Sequence, residues 1–139
     1  MNLTVIDGQG GQLGVQLVKE ITSRFPEQKL TVIGTNALAT AAMLKAGAKQ
    51  AATGENPVVV ACRKADVIIG PVGIVIADSL NGEVTPAMAT AIGQANAIRI
   101  LLPMNKCENL IAGVTNLNTA LLITDAMEKL RAVIENGKT

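Results

Sequence analysis

Four glycines within seven residues, directly after a short apolar run, are the strongest chemical signal in the sequence. The run Leu3–Ile6 leads into segment 7–14, which reads DGQGGQLG, and a helical period follows. A strand, a tight glycine turn and a helix start together expose backbone N–H groups that bind phosphate or another anion. The pattern therefore predicts an anion site, whose members are Asp7, Gly8, Gln9, Gly10, Gly11, Gln12 and Leu13.

The spacing of the glycines favours a nucleotide ligand. Gly8, Gly11 and Gly14 fit G-x-x-G-x-x-G, whereas the stricter G-x-G-x-x-G fails because Leu13 stands in place of its third glycine. No Lys follows the loop, so it is not a Walker-type phosphate loop. NAD(P) is the leading ligand on this pattern. The alternative is that the glycines serve only close packing of the helix on the strand.

A dinucleotide site also uses an acid about twenty residues further on, at the end of the second strand, to bind the adenosine ribose. That position reads Gly34-Thr35-Asn36 and contains no acid. Thr35 and Asn36 could bind a ribose hydroxyl or a 2′-phosphate, although no Arg lies nearby in the sequence for that phosphate. Asn36 is equally a good helix N-cap, and Asp7 could cap the loop amides instead of contacting a ligand.

Other candidates follow from the rule that open parallel sheets bind ligands outside the carboxyl ends of their strands. Gly70 and Asn105 are assigned to the cofactor site on this ground. Asp78 follows a long apolar run, where a carboxylate is costly unless paired or functional, and is the candidate acid–base group. Lys106 precedes Cys107 and would favour a reactive thiolate. A solvated loop aspartate and an inert thiol are the alternatives.

The residue types that are missing exclude several chemistries. The chain has no His, Tyr or Trp and a single Phe. Without His, Cys–His and Ser–His catalysis within one chain is excluded, and no metal site is predicted. Without Tyr, a Tyr–Lys reductase mechanism is excluded. A net charge of +1, dispersed cations and the lack of stacking aromatics predict no nucleic-acid partner.

The composition also predicts a cytoplasmic protein. The uncharged run Val67–Ala77 has eleven residues, and a membrane span needs about twenty. The chain enters a strand without a basic leader, and two cysteines are too few for a disulfide framework. We expect no membrane partner.

Positioning these residues requires alternating strands and helices. At 139 residues we expect one domain, residues 1–139. Apolar runs alternate with helix-period segments, which predicts an α/β Rossmann-like three-layer sandwich with a mostly parallel sheet of about five or six strands. The strands after the first are predicted at Leu30–Gly34, Lys49–Ala52, Val67–Ile69, Ile98–Leu102 and Leu110–Val114. Only about eight residues separate the last of these strands from the strand before it, and a parallel crossover needs a dozen or more. The last strand should therefore run antiparallel at an edge of the sheet.

The helices are predicted between these strands. The first presents Gly14 to the first strand, allowing close approach, and ends at Pro26; the second is capped by Thr35 or Asn36. The segment Ile74–Leu80 favours a short helix before an Asn81-Gly82 turn, with a hairpin as the alternative. The other helices are predicted at Val58–Ala65, with Asn56 as N-cap and Pro57 as first residue, at Thr85–Ala95, and at Thr119–Glu135, which should bury Ile123, Ala126, Met127, Leu130 and Ile134.

Several segments together resemble one family, an uncharacterised group of small Rossmann-like bacterial proteins carried as a domain of unknown function. The resemblance implies the α/β fold and a bacterial cytosolic origin, and it implies no activity. More weakly, Val5–Gly14 resembles extended short-chain dehydrogenases and reductases, from which the chain departs by lacking the catalytic Tyr and the ribose acid. The segments that carry the first resemblance are Val5–Gly11, Gly34–Ala37, Ala52–Asn56, Gly70–Ile74 and Leu102–Cys107.

Three functional hypotheses follow. The first is a nucleotide-binding module that senses or carries a small phosphorylated ligand, foremost NAD(P), at the glycine loop. The second is a small enzyme whose site forms between two chains of a homodimer and uses Asp78, Asn105, Lys106 or Cys107. The third is an interaction protein in which the glycine loop is purely structural. Whether the chain is an enzyme is left open by the sequence.

Overall fold

The computed structural model describes residues 1–104, 108–115 and 118–137 and contains a five-stranded parallel sheet. The strands are β1 (Asn2–Asp7), β2 (Lys29–Gly34), β3 (Gln50–Thr53), β4 (Val67–Pro71) and β5 (Ile98–Leu102). The helices are α1 (Gln12–Arg24), α2 (Ala37–Lys45), α3 (Glu55–Cys62), α4 (Pro86–Gln94) and α5 (Thr119–Asn136), and a 3₁₀ turn spans Val72–Val75.

The strand order places the glycine loop at the centre of the sheet. The order is β3-β2-β1-β4-β5, and every neighbouring pair is parallel. From β1 the chain winds outward through β2 and β3, then returns to place β4 on the other side of β1. The strand order therefore reverses between β1 and β4, which is where open α/β sheets bind ligands. The predicted Rossmann-like α/β fold is confirmed.

Two apolar layers cover the faces of the sheet. On one face, α1, α2 and α5 bury Leu17, Met43 and Met127 against strand residues such as Val5. On the other face, α3 and α4 bury Val58 and Ile92 against strand residues such as Ile6 and Ile68. Because both faces are covered, β4 is buried along its whole length, as expected for a central parallel strand.

Gly14 allows α1 to lie close to β1, as predicted. A Cβ at this position would overlap the side chain of Met43 and would lie 3.0 Å from the Cβ of Asp7. A larger residue at position 14 would therefore push α1 away from the sheet and from the loop that precedes it.

The predicted sixth strand, Leu110–Val114, is wrong. Residues 108–115 form turns and irregular segments without strand pairing, Leu110 is 93% exposed, and Gly113 has a φ of 86°. The apolar run suggested a strand, but none of these residues is fully buried: Leu110 and Ala112 are exposed, and Ile111 and Val114 are half-buried. The described strands are all parallel.

Other element predictions differ in detail. Helix α3 begins at Glu55 after a Gly54 N-cap with a φ of 99°, so Asn56 as N-cap and Pro57 as first residue are wrong. Pro57 still lies in the first turn, where its missing N–H has no helical acceptor. The Ile74–Leu80 segment is neither a hairpin nor a full helix, because the 3₁₀ turn leads into consecutive turns. Ile134 is half-buried, whereas the other predicted core residues of α5 are buried.

The helices of the described residues include none long and apolar enough to cross a bilayer.

Candidate functional site: a glycine loop held by two carboxylates

The glycine loop, residues 8–11, lies at the carboxyl end of β1 and leads directly into α1. The N–H of Gly11 donates to the carbonyl of Gly8 at 2.9 Å, which closes a tight turn. Gly11 is the N-cap of α1 and has a φ of 74°, in the left-handed region that favours glycine. A Cβ on Gly11 would lie 2.9 Å from the Cα of Ala39, so this glycine also allows the start of α1 to approach α2.

Asp7 holds the base of the loop. Its side chain is only 2% exposed, and its two carboxylate oxygens accept the N–H groups of Gly8 at 2.8 Å and Gly14 at 2.7 Å. Burial raises the pKa of Asp7, the two backbone hydrogen bonds oppose that shift, and the charge of Glu83 adds to it. Of the two roles that the sequence allowed, these contacts correspond to capping of the loop amides.

Glu83 holds the outer side of the loop, and sequence reasoning missed it. Its Oε1 accepts hydrogen bonds from the Gln9 N–H at 2.9 Å, the Thr35 hydroxyl at 2.7 Å and the Asn36 side-chain amide at 2.6 Å. Partial burial alone would raise the pKa of Glu83, but these three donors together hold it below its ordinary value. Glu83 is therefore an anchored, ionised carboxylate at neutral pH.

A compact loop between β4 and α4, residues 76–85, delivers Glu83 to this position. The Asp78 N–H donates to the Val84 carbonyl at 2.7 Å, and the Ser79 hydroxyl donates to the Gly73 carbonyl. Asp78, Leu80 and Asn81 all have positive φ values, which costs energy in a residue with a side chain. Buried Leu80 fixes the loop against the sheet. The sequence offered only the Asn81-Gly82 turn before an acid, and nothing in it gave the direction of the loop.

Three amides of the loop and helix start are not used by these carboxylates. Within residues 1–104, 108–115 and 118–137, the N–H groups of Gly10, Gln12 and Leu13 have no hydrogen-bond acceptor. Helix α1 also has no side-chain cap and no acid in its first turn. Its partial positive charge and these three donors therefore remain available to an anion.

Thr35 and Asn36, the predicted ribose contacts, both form hydrogen bonds with Glu83. Asn36 caps α2 through its Oδ1, which accepts the Ala39 N–H at 2.8 Å, so the predicted N-cap is confirmed. Its Nδ2 donates to the Gln9 carbonyl at 2.9 Å as well as to Glu83. Thr35 likewise donates its hydroxyl to Glu83. Both residues lie beside the loop and hold the Glu83 carboxylate, and their contact with a ligand stays a prediction.

Of the remaining predicted site residues, the structure describes Gly70 and Asp78. Gly70 is buried in β4, and a Cβ there would overlap the Ile6 carbonyl oxygen, so it serves the close contact of β1 with β4. Asp78 is exposed, on the same loop as Glu83. Asn105, Lys106 and Cys107 lie outside the described residues. Across the described part of the chain, His, Cys, Asp and Glu side chains form no group of three or more that could hold a metal ion.

The fold and the loop together define a Rossmann-like α/β protein with a glycine-rich strand–helix turn at the point where the strand order reverses. Residues 2–135 match the family model described as "Domain of unknown function (DUF3842)", and the chain belongs to this family. Curated proteins provide no match. A similar solved structure is a dodecameric FMN-dependent UbiX-like decarboxylase from Escherichia coli O157:H7, with 15% identity and a TM-score of 0.46 over 94% of this chain and 77% of that chain.

Proposed function

We propose that this chain is a nucleotide-binding protein whose glycine loop holds the phosphates of its ligand, with NAD(P) as the first candidate. One observation carries the proposal: the amides of Gly10, Gln12 and Leu13 have no acceptor within the described residues. The neighbouring amides, by contrast, donate to the carboxylates of Asp7 and Glu83. Backbone donors at a helix start, in a loop at the reversal of strand order, are the arrangement that binds phosphate groups in this class of fold.

The charges around the loop limit where a phosphate can bind. Asp7 lies beneath the loop and Glu83 lies on its outer side, so both of these directions repel an anion. The start of α1 carries the opposite partial charge. A diphosphate would therefore bind over Gln12 and Leu13, and the rest of the nucleotide would extend along the carboxyl ends of the strands.

Ligand-induced stabilisation of the full chain tests this proposal directly. ADP, NAD⁺, NADP⁺ and inorganic pyrophosphate are each added to the protein, and thermal unfolding is followed by calorimetry. A ligand present at 100 times its dissociation constant should add about 2.7 kcal/mol to the free energy of unfolding. If none of the four compounds raises the unfolding temperature, the proposal is wrong.

A charge placed on the site sharpens the test. Gln12 is exposed in the first turn of α1, and Gln12→Glu should raise the free energy of unfolding by about 0.3–1 kcal/mol because an acid is favourable there. The same carboxylate should weaken pyrophosphate and ADP binding severalfold, since it competes for the same donors. Gln16→Glu adds an identical charge one turn further along the helix, at another exposed position, and is the control. Equal affinities in the two variants would contradict the proposed location.

Several other predictions from the sequence remain proposals. We propose that residues 1–139 act as one domain. A catalytic role for Asp78, Lys106 and Cys107, a site shared in a homodimer, and a bacterial cytoplasmic origin stay predictions.

A further inference from the structure

Glu83 has one carboxylate oxygen fully engaged and one that is not. Oε1 accepts three hydrogen bonds, whereas no donor among the described residues reaches Oε2. An ionised carboxylate offers about four acceptor positions and no donor. Because three donors from two segments of the chain fix Oε1, the position of Oε2 is held as well, and Oε2 remains an unused acceptor in the described part of the chain.

The position of this acceptor matches a need that the sequence pattern left unfilled. Glu83 contacts Thr35 and Asn36, which directly follow β2, and it also contacts the second residue of the glycine loop. Dinucleotide-binding folds place a carboxylate at the end of β2 to accept hydrogen bonds from the adenosine ribose. Here β2 ends without an acid, and the carboxylate at this place comes from the loop that follows β4.

The charge at this place selects among ribose-bearing ligands. Among the described residues, no Lys or Arg lies within ion-pair distance of Glu83. An uncompensated carboxylate accepts hydrogen bonds from a 2′,3′-diol and repels a 2′-phosphate.

We propose that Glu83 is the ribose-binding acid of this protein and that its ligand is a nucleotide with free 2′- and 3′-hydroxyls, NAD rather than NADP. This inference rests on the proposed function, because it needs the phosphates to lie over the glycine loop. Thr35 and Asn36 act as positioning residues, because the Thr35 hydroxyl and the Asn36 side-chain amide donate to Oε1 and so hold the carboxylate.

The competing interpretation is that Glu83 blocks the loop and must be displaced by the phosphates of a ligand. The two interpretations predict opposite effects of removing its charge. If Glu83 binds the ribose, Glu83→Gln weakens binding of ADP and NAD⁺, whose 2′- and 3′-hydroxyls are free. If Glu83 blocks the site, the same substitution strengthens binding of every phosphate-bearing compound.

Isothermal titration calorimetry on the full chain distinguishes these outcomes. The probes are ADP, 2′-deoxy-ADP, NAD⁺, NADP⁺ and pyrophosphate. For the unmodified protein, we expect ADP to bind about 10- to 100-fold more tightly than 2′-deoxy-ADP, the range of a hydrogen bond to a charged group. NAD⁺ should bind more tightly than NADP⁺ by at least the same factor. This series needs no variant and is therefore independent of any effect on folding.

The variant series completes the experiment. Glu83→Gln should bring both affinity ratios close to one, because ADP and NAD⁺ lose a hydrogen-bond acceptor and NADP⁺ is no longer repelled. Glu27→Gln removes an exposed charge between α1 and β2 and should preserve the ratios. Equal binding of ADP and 2′-deoxy-ADP to the unmodified protein, or tighter binding of ADP by Glu83→Gln, would overturn the inference while leaving the proposed function intact. Failure of all five probes, pyrophosphate included, would instead remove the proposed function.

Discussion

Helices α1 and α2 both begin at the carboxyl ends of the strands, and the backbone N–H groups of their first turns differ in their hydrogen-bond acceptors. Helix α2 starts after Asn36, whose side chain accepts the Ala39 N–H, so its start is closed by its own N-cap. Helix α1 starts after Gly11, which has no side chain to donate or accept. The same Asn36 also donates to Glu83 and to the loop carbonyl of Gln9. The N-cap residue of α2 therefore also stabilises the glycine loop that precedes α1.

Helix α3 also begins after a glycine without a side-chain cap, but the acid Glu55 lies in its first turn, whereas the first turn of α1 has neither a cap nor an acid. Helix α4 has an N-cap as well: the Thr85 hydroxyl accepts the Met88 N–H at 3.1 Å, and Pro86 follows in the first turn. A side-chain cap is the ordinary way to satisfy the first turn of a helix. At α1, Asp7 and Glu83 instead accept the amides of Gly8, Gly14 and Gln9, and the amides of Gly10, Gln12 and Leu13 have no acceptor in the described part of the chain.

The largest expected effect comes from adding a side chain where the start of α1 contacts α2. In Gly11→Ala, a side chain must adopt a left-handed φ, which costs about 1–2 kcal/mol. The new Cβ would also lie 2.9 Å from the backbone of Ala39, and overpacking adds about 1–3 kcal/mol. We expect the free energy of unfolding, measured with urea, to fall by about 3 kcal/mol.

Gly10→Ala is the matched control for that substitution. No atom lies within 4 Å of a Cβ built on Gly10. Its free energy of unfolding should stay within about 0.5 kcal/mol of the unmodified protein. Similar losses in the two variants would show that the contact between α1 and α2 does not depend on Gly11.

A smaller effect is expected from separating the two roles of Asn36. Asn36→Ala removes the α2 cap and a donor to Glu83, and we expect a loss of about 2 kcal/mol, against about 1 kcal/mol for Thr85→Ala, which removes a cap alone. Asn36→Asp keeps a capping oxygen but places a second carboxylate against Glu83. It should therefore retain α2 while the Gln9 N–H loses protection from hydrogen exchange. Equal losses in Asn36→Ala and Thr85→Ala would contradict the second role.

The sequence predicted the parts of this site that local rules determine. The order of apolar and polar residues around segment 7–14 was sufficient to place a glycine turn between β1 and α1, and the spacing of Gly14 was sufficient to predict close packing on the strand. The cap at Asn36 follows from its residue type and from the helical period after it. All of these depend on interactions between residues near one another in the chain.

Glu83 could not be predicted in this way, because its contacts with Gln9 and Asn36 join residues 74 and 47 positions apart. The direction of residues 76–85 depends on burial of Leu80 and on backbone conformations that residue types do not indicate. The wrong strand at Leu110–Val114 has a related cause. An apolar run shows that burial is favourable, but whether a sheet edge is available to it is a property of the whole fold.

The smallest expected effect concerns the pH dependence of stability. The pKa of Glu83 is lowered in the folded protein by its three donors, so its contribution is fully present above the unfolded value, about 4.3, and is lost as the pH falls through the lower folded value. The difference in free energy of unfolding between the unmodified protein and Glu83→Gln should therefore be largest at neutral pH and shrink below about pH 4. Its size should not exceed about 1 kcal/mol, because the carboxylate is partly exposed and salt screens it.

Asp7 acts in the opposite direction and must be separated from this effect. Its pKa is raised by burial, so its contribution is present at low pH and is lost as the pH rises through the raised folded value. Since Asp7 is retained in Glu83→Gln, its own burial cancels in the comparison; only the part of its pKa shift that the charge of Glu83 causes changes. Glu27→Gln, which lacks the loop contacts, should track the unmodified protein across the same range. A difference for Glu83→Gln that grows as the pH falls would mean that Oε1 is not held by its donors, and the contrast between an open α1 and a closed α2 would lose its physical basis.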